Sequence, residues 1–263
     1  MKSREERKYF DKEWKTMKAA LTAFIENGEQ ENLHRFRVQV KKLRAFLILL
    51  DSLGVDIPLL KHFKPVRLVF KQAGEIRNAY INVKIGKDHQ FNTGSFVAEQ
   101  QLLMKNGTET FKSNGDKNLK AIKFAHKAIK GKIKPVSNLH INLFYQAQLK
   151  QIAASLAPLQ FDESLHNARK RIKILIYNYK LVYKGLEAGF NEPYLDGVQK
   201  SIGDWHDTVL AIDLFSLYEV HNQTAFANLK NQLEKIKSNI IASTVDFYNQ
   251  ATTTVELAVE QLS

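Results

Sequence analysis

An all-α fold is what this sequence predicts, and three observations predict it. Apolar residues recur at three- and four-residue spacing along nearly the whole chain, as in Phe10, Trp14, Met17, Leu21, Phe24 and Ile25. No segment alternates apolar and polar residues between turn signals, so no hairpin or strand is expected. Prolines number only 5 in 263 residues, few for a loop-rich β chain.

Each element has its own signal. The first helix covers 3–26 and ends at Asn27-Gly28, a common stop. The second runs from 29 to 51 and closes at Leu53-Gly54. A third is expected over 58–73 and a fourth from Gly74 to 86, with the glycine read as the break. Residues 93–105 and 116–133 follow as helices, separated by two Asn-Gly steps. Pro135 interrupts the chain near its middle. Beyond it, helices are expected at 138–156, 162–184, 194–202, 204–221, 223–239 and 241–261.

Composition narrows the chemistry. Hydrophobic residues make up 44% and charged residues 25%, as in an ordinary globular chain. There is no cysteine, which excludes disulfides, thiolate metal sites and a thiol nucleophile. Met1 to Phe10 is charged with no apolar run behind it, unlike a secretory signal. Ala45 to Leu50, the most apolar stretch, is far shorter than the roughly 20 residues that span a bilayer. No membrane partner and a cytoplasmic location are expected. The net charge is +12, and residues 1–130, with 26 basic and 14 acidic side chains, carry all of it. A polyanion is the natural partner of such a body.

The chain repeats itself. Leu33-His34-x-x-Arg37-x-x-Val40-Lys41-x-Leu43 recurs as Leu165-His166-x-x-Arg169-x-x-Ile172-Lys173-x-Leu175. Gly74-Glu75-Ile76-Arg77-Asn78 is answered by Gly203-Asp204-Trp205-His206-Asp207 at nearly the same offset. Two helical bundles, 1–133 and 134–263, related by a pseudo-two-fold axis, account for both repeats.

On a helix, positions i, i+3 and i+7 lie within about 60° of one another. His34, Arg37 and Lys41 therefore share a face, which Arg44 extends by a turn. His166, Arg169 and Lys173 repeat the layout. Cations one turn apart suit a linear anion with a charge on each unit, and Arg offers a fork of donors to phosphate. An ordinary solvated face mixes in acids to relieve repulsion, yet residues 32–50 and 167–186 contain none. A third track, Lys120, Lys123, Lys127 and Lys130, follows the same spacing opposite Ile122, Ala125 and Ile129.

Asp204, His206 and Asp207 invite a metal reading. The first-half counterparts Glu75, Arg77 and Asn78 make a poor ligand set, and cations crowd the neighbourhood. No metal or cofactor is expected; Gly203 is read as a helix end and Asp204 as the next cap.

These residues carry a family likeness. His34-Arg35-Phe36-Arg37-Val38-Gln39-Val40-Lys41-Lys42-Leu43-Arg44 resembles the signature helix of the CHAD family, the conserved histidine α-helical domain. Leu165 to Lys173, with Lys170 and then Tyr177, is similar to that family's second signature. The Gly74 and Gly203 motifs look like its Gly-x-x-Arg-Asp turns, and Arg77 and His206 are expected among the polyphosphate-binding residues. The likeness covers about 5–260. It implies two four-helix-bundle halves around a basic central groove or pore that binds inorganic polyphosphate without catalysis, in prokaryotes and often at polyphosphate granules. The signature His, Arg and Lys residues line that groove. Ile176 stands where an Arg often precedes the tyrosine, Lys180 lies near a common acid position, and Asn78 replaces an Asp. The second half should therefore be the thinner cation source. The triphosphate-tunnel catalytic domain that sometimes precedes such a module is not expected.

Two rivals use the same residues. A nucleic-acid binder would interleave aromatics with its cations; the aromatics instead look like core positions. A metal-dependent phosphohydrolase would rest on Asp204, His206 and Asp207. For the favoured reading, exchanging Arg37 and Lys41 together for Ala is expected to abolish polyphosphate binding and leave helicity intact. The sequence names no protein partner.

Overall fold

The computed structural model describes residues 3–54, 58–89, 94–187, 189–218 and 222–253. These form eleven α-helices and one 3₁₀ turn, with no strand among the described residues. In order they are α1 (Ser3–Asn27), α2 (Gln30–Asp51), α3 (Leu59–His62), α4 (Lys64–Asp88), α5 (Gly94–Ser113), α6 (Gly115–Lys130), α7 (Asn138–Ser155), α8 (Glu163–Val182), the turn Tyr183–Gly185, α9 (Glu192–Leu217), α10 (Gln223–Thr244) and α11 (Phe247–Thr252).

The chain divides into two compact units. One comprises residues 1–136 and 210–230, the other 137–209 and 231–263.

In the first unit, α1, α2, α4 and the α5–α6 pair form the corners of a four-helix bundle. The apolar stripe of α1 is buried as its spacing requires: Phe10, Met17, Leu21 and Phe24 are fully enclosed. Leu33, Phe36, Val40, Leu43 and Leu47 of α2 meet it. Val66, Val69, Ala73 and Ile76 come from α4, and Ile122, Ala125 and Ile129 from α6. Each of the Val, Leu, Ile, Met and Phe side chains contributes roughly 1.5–3 kcal/mol on leaving water. Gly28, with φ of 76°, ends α1 in the left-handed conformation and donates to Phe24 O at 2.8 Å. Asp51 at the end of α2 accepts from Leu59 N and Leu60 N, which fixes the start of α3. A smaller cluster of Phe96, Leu214, Phe215 and Leu229 packs near Ile85 and Val97.

In the second unit, α8 buries Leu165, Ala168, Ile172, Leu175 and Val182. Tyr145 of α7 donates to Leu175 O at 2.8 Å, and Tyr194 of α9 to Ser243 O at 2.7 Å. Asp162 caps α8 through Ser164 N, and Ser137 caps α7 through His140 N.

The helix boundaries correct the sequence reading at its glycines. Helix α4 runs through Gly74, and the break falls earlier, at Phe63, ahead of Pro65 in the first turn of α4. Helix α5 runs through Gly107 to Ser113. The helices expected at 194–202 and 204–221 are one, α9, which runs to Leu217, so Gly203 ends nothing and Asp204 caps nothing; residues 219–221 lie outside the described residues. Helix α10 continues to Thr244 and α11 covers Phe247–Thr252, and residues 254–261 of the last expected helix lie outside the described residues.

Candidate functional site: a cationic face on α2 and α4

The faces begin with a pair of neighbouring helices in each unit. In the first unit Arg37 of α2 crosses to α4 and donates from Nη1 to Phe70 O at 3.0 Å. Phe70 O already belongs to the α4 ladder, where it faces the N–H of Gly74 four residues on. A helical carbonyl keeps a second lone pair, normally screened by the side chain at that position. Gly74 has none. A Cβ built on it would lie 2.8 Å from Arg37 Nη1. The guanidinium also rests over the Phe70 ring, 4.3 Å from its centroid.

The second unit repeats the device. Arg169 of α8 donates from Nε to Gln199 O of α9 at 2.9 Å, four residues before Gly203. A Cβ on Gly203 would lie 2.8 Å from Arg169 Nη2. Both glycines are notches for an arginine, which is why the helices pass straight through them.

Further cations gather around the first clamp. The His34 imidazole is held below its usual range by partial burial and then by the Arg77 charge, with Lys41 and Arg37 adding to it. Glu31 acts the other way, although its carboxylate is engaged by Arg35 at 3.1 Å. Burial, followed by Arg77, also weakens the hold of Arg37 on its proton. Two turns along, burial and Arg67 do the same to Arg44. The face thus runs His34 with Arg77, then Arg37 and Lys41, then Arg44 with Arg67. Arg77 lies over Tyr80, 4.6 Å from its centroid. On the α1 side, an open groove floored by Ala19, Ala20 and Ala23 reaches His34 and Arg35.

The equivalent face of the second unit is poorer. His166 and His206 meet edge to face with centroids 4.9 Å apart. Burial, then Lys170 and His206, hold His166 below its usual range. Lys170 pairs with Glu163 at 3.1 Å. Lys173, depressed by burial and Arg169, approaches Gln199 Oε1 at 3.4 Å and stands over the Tyr177 ring. Burial pushes the Tyr177 hydroxyl up. Where the first unit pairs Arg44 with Arg67, the second has Ile176 and Asp196, whose charge acts on both Lys173 and Tyr177.

Not every expected site residue joins these faces. Lys42 lies about 140° round α2 from Arg37. Lys120, Lys123, Lys127 and Lys130 are carried by α6, which is diagonal to α2 in the bundle. Lys130 pairs with Asp11 at 2.8 Å. His126 is structural: it stacks flat on Phe10 and bonds Asp11 at 2.9 Å. Burial raises the Asp11 carboxyl, but its bonds to Lys130 and His126 outweigh this and hold it low.

Asp204, His206 and Asp207 do not converge. They share one continuous helix, and His206 lies about 160° round it from Asp204. Among the described residues no cluster of three metal-ligating side chains occurs. Burial raises the Asp207 carboxyl.

Sequence reasoning missed Arg67. Its signal was present: Arg67, Phe70, Gly74 and Arg77 fall at helical spacing. Splitting the helix at Gly74 hid that stripe. The expectation that aromatics occupy core positions also needs correction, since Phe124 on α6 is 68% exposed.

Residues 98–216 match the CHAD domain family. This stretch contains the second signature helix and the Gly203 motif but not His34 to Arg44. No curated protein matches the chain. Among solved structures, the chain is similar to the CHAD domain from the plant Ricinus communis. Identity is 16% and the TM-score 0.66, over 92% of this chain and 91% of that one. At that identity the likeness is one of fold.

Proposed function

We propose that this chain, which matches the CHAD domain family over residues 98–216, is a non-catalytic binder of inorganic polyphosphate. The observation that carries the reading is the row His34–Arg77, Arg37–Lys41, Arg44–Arg67. Four cationic or protonatable side chains lie on successive turns of α2 and two more, Arg67 and Arg77, stand at the two ends of the row on α4, and burial and mutual repulsion already strain several of them. Like charges held together are destabilising unless an anion visits. A polymer with a charge on every unit neutralises the whole row at once.

In this reading the α8–α9 face adds a smaller share through His166, Arg169, Lys173 and His206. A cytoplasmic location, at polyphosphate granules, follows from the ligand. No helix of the described residues is long and apolar enough to cross a membrane.

The test avoids the clamp. Arg37 holds two helices together, so exchanging it confuses packing with binding. Lys41→Gln with Arg44→Gln and Arg67→Gln removes charge from the same row. Polyphosphate affinity should fall by at least tenfold, with unchanged circular dichroism. The slope of log affinity against log salt should become shallower by about 0.7 for each phosphate no longer neutralised, as for a single-stranded polyanion. Unchanged affinity and slope would remove the proposal.

A further inference from the structure

Helix α6 presents a surface separate from the row on α2 and α4. Lys120, Lys123, Phe124 and Lys127 fall within about 100° of one another around the helix, with Lys117 beside them. Among the described residues, no acid stands within ion-pair distance of Lys120, Lys123 or Lys127. Phe124 sits in this cationic field 68% exposed. The opposite stripe, Ile122, Ala125 and Ile129, is buried, so helix packing has no use for the ring.

A phosphate polymer without bases gains nothing from an aromatic ring. A single-stranded nucleic acid gains from both components: lysines for the backbone, and a free ring face on which one base stacks. We infer that the Lys120–Lys123–Phe124–Lys127 face of α6 is a binding surface for single-stranded nucleic acid, independent of the polyphosphate row. Helix α6 packs against α4 as well as α1, but the two sites share no residue, so they respond to different substitutions.

The experiment uses the full chain and fluorescence anisotropy with a labelled single-stranded RNA of about twelve nucleotides. The arms are the same sequence as a duplex, long-chain polyphosphate, and vesicles containing phosphatidylserine. Phe124→Ala should weaken single-strand binding about tenfold, and Phe124→Trp should retain or tighten it. Both should leave polyphosphate affinity unchanged. Lys120→Gln with Lys123→Gln and Lys127→Gln should abolish single-strand binding and flatten its salt dependence. Phe124 is exposed, so these variants keep the fold, which thermal melting checks. Equal binding of single strand and duplex, or an equal loss for RNA and polyphosphate in Phe124→Ala, overturns the inference. So does RNA binding that vanishes with Lys41→Gln, Arg44→Gln and Arg67→Gln but survives the α6 exchanges. Binding to vesicles without RNA binding assigns the face to an anionic membrane and equally overturns it. Failure of polyphosphate binding alone leaves this inference standing.

Discussion

At the scale of single residues, the two signature histidines carry a pH dependence whose sign is fixed. Burial and neighbouring cations hold His34 and His166 below the usual imidazole value of 6.5. The folded, ligand-free protein therefore binds these protons less readily than the unfolded chain. Stability should be level above about pH 6.5 and fall as the pH drops below it. A bound anion reverses the cause and raises both values. Polyphosphate binding should then take up protons and tighten with acidification, by up to about tenfold per pH unit for each proton. Affinities measured between pH 8 and 5.5 for the wild type and for His34→Gln with His166→Gln check this; the double variant should be flatter. Equal slopes would show that neither imidazole meets the anion.

At the scale of elements, an arginine and a missing side chain join two helices in each unit. In α4, Gly74 leaves the Phe70 carbonyl open to Arg37, and in α9, Gly203 leaves the Gln199 carbonyl open to Arg169. An alanine inside a helix ordinarily gains about 1 kcal/mol over glycine. At Gly74 its methyl displaces the guanidinium, losing a charged-donor bond worth about 1.5–3 kcal/mol. Gly74→Ala should thus destabilise the wild type yet stabilise an Arg37→Met background. Gly197→Ala, on α9 with nothing within 4 Å of its new Cβ, should stabilise by about 1 kcal/mol. Urea unfolding of the four Gly74 and Arg37 combinations gives the coupling directly; additive effects would refute the clamp.

At the scale of the whole molecule, charge is unequally shared. All of the net +12 lies within residues 1–130, and the structure assigns much of it to surfaces of the first unit: the α2–α4 row and the α6 track. The second unit keeps the clamp and its histidines but replaces the Arg44–Arg67 pair with Ile176 and Asp196. Lys41→Gln in the first unit should therefore cost polyphosphate affinity more than Lys173→Gln in the second. Titration of both variants at one salt concentration decides this, and the opposite order would transfer the main site to the second unit.

The sequence by itself determined the helical class, the repeated signatures and the cationic turns of α2 and α8, because each rests on a 3.6-residue period that needs no partner to be read. It also marked the second half as poorer, since Ile176 interrupts the row whatever surrounds it. Tertiary structure alone decided what Gly74 and Gly203 do. A glycine read locally is a break, and only a guanidinium arriving from another helix makes it a notch. Bundle geometry likewise decided that Arg67 acts on Arg44, that the α6 lysines lie on a different corner from the signature helix, and that Phe124 stays in water. Those are facts about which helix is the neighbour, and neighbours far apart in the chain leave no period to read.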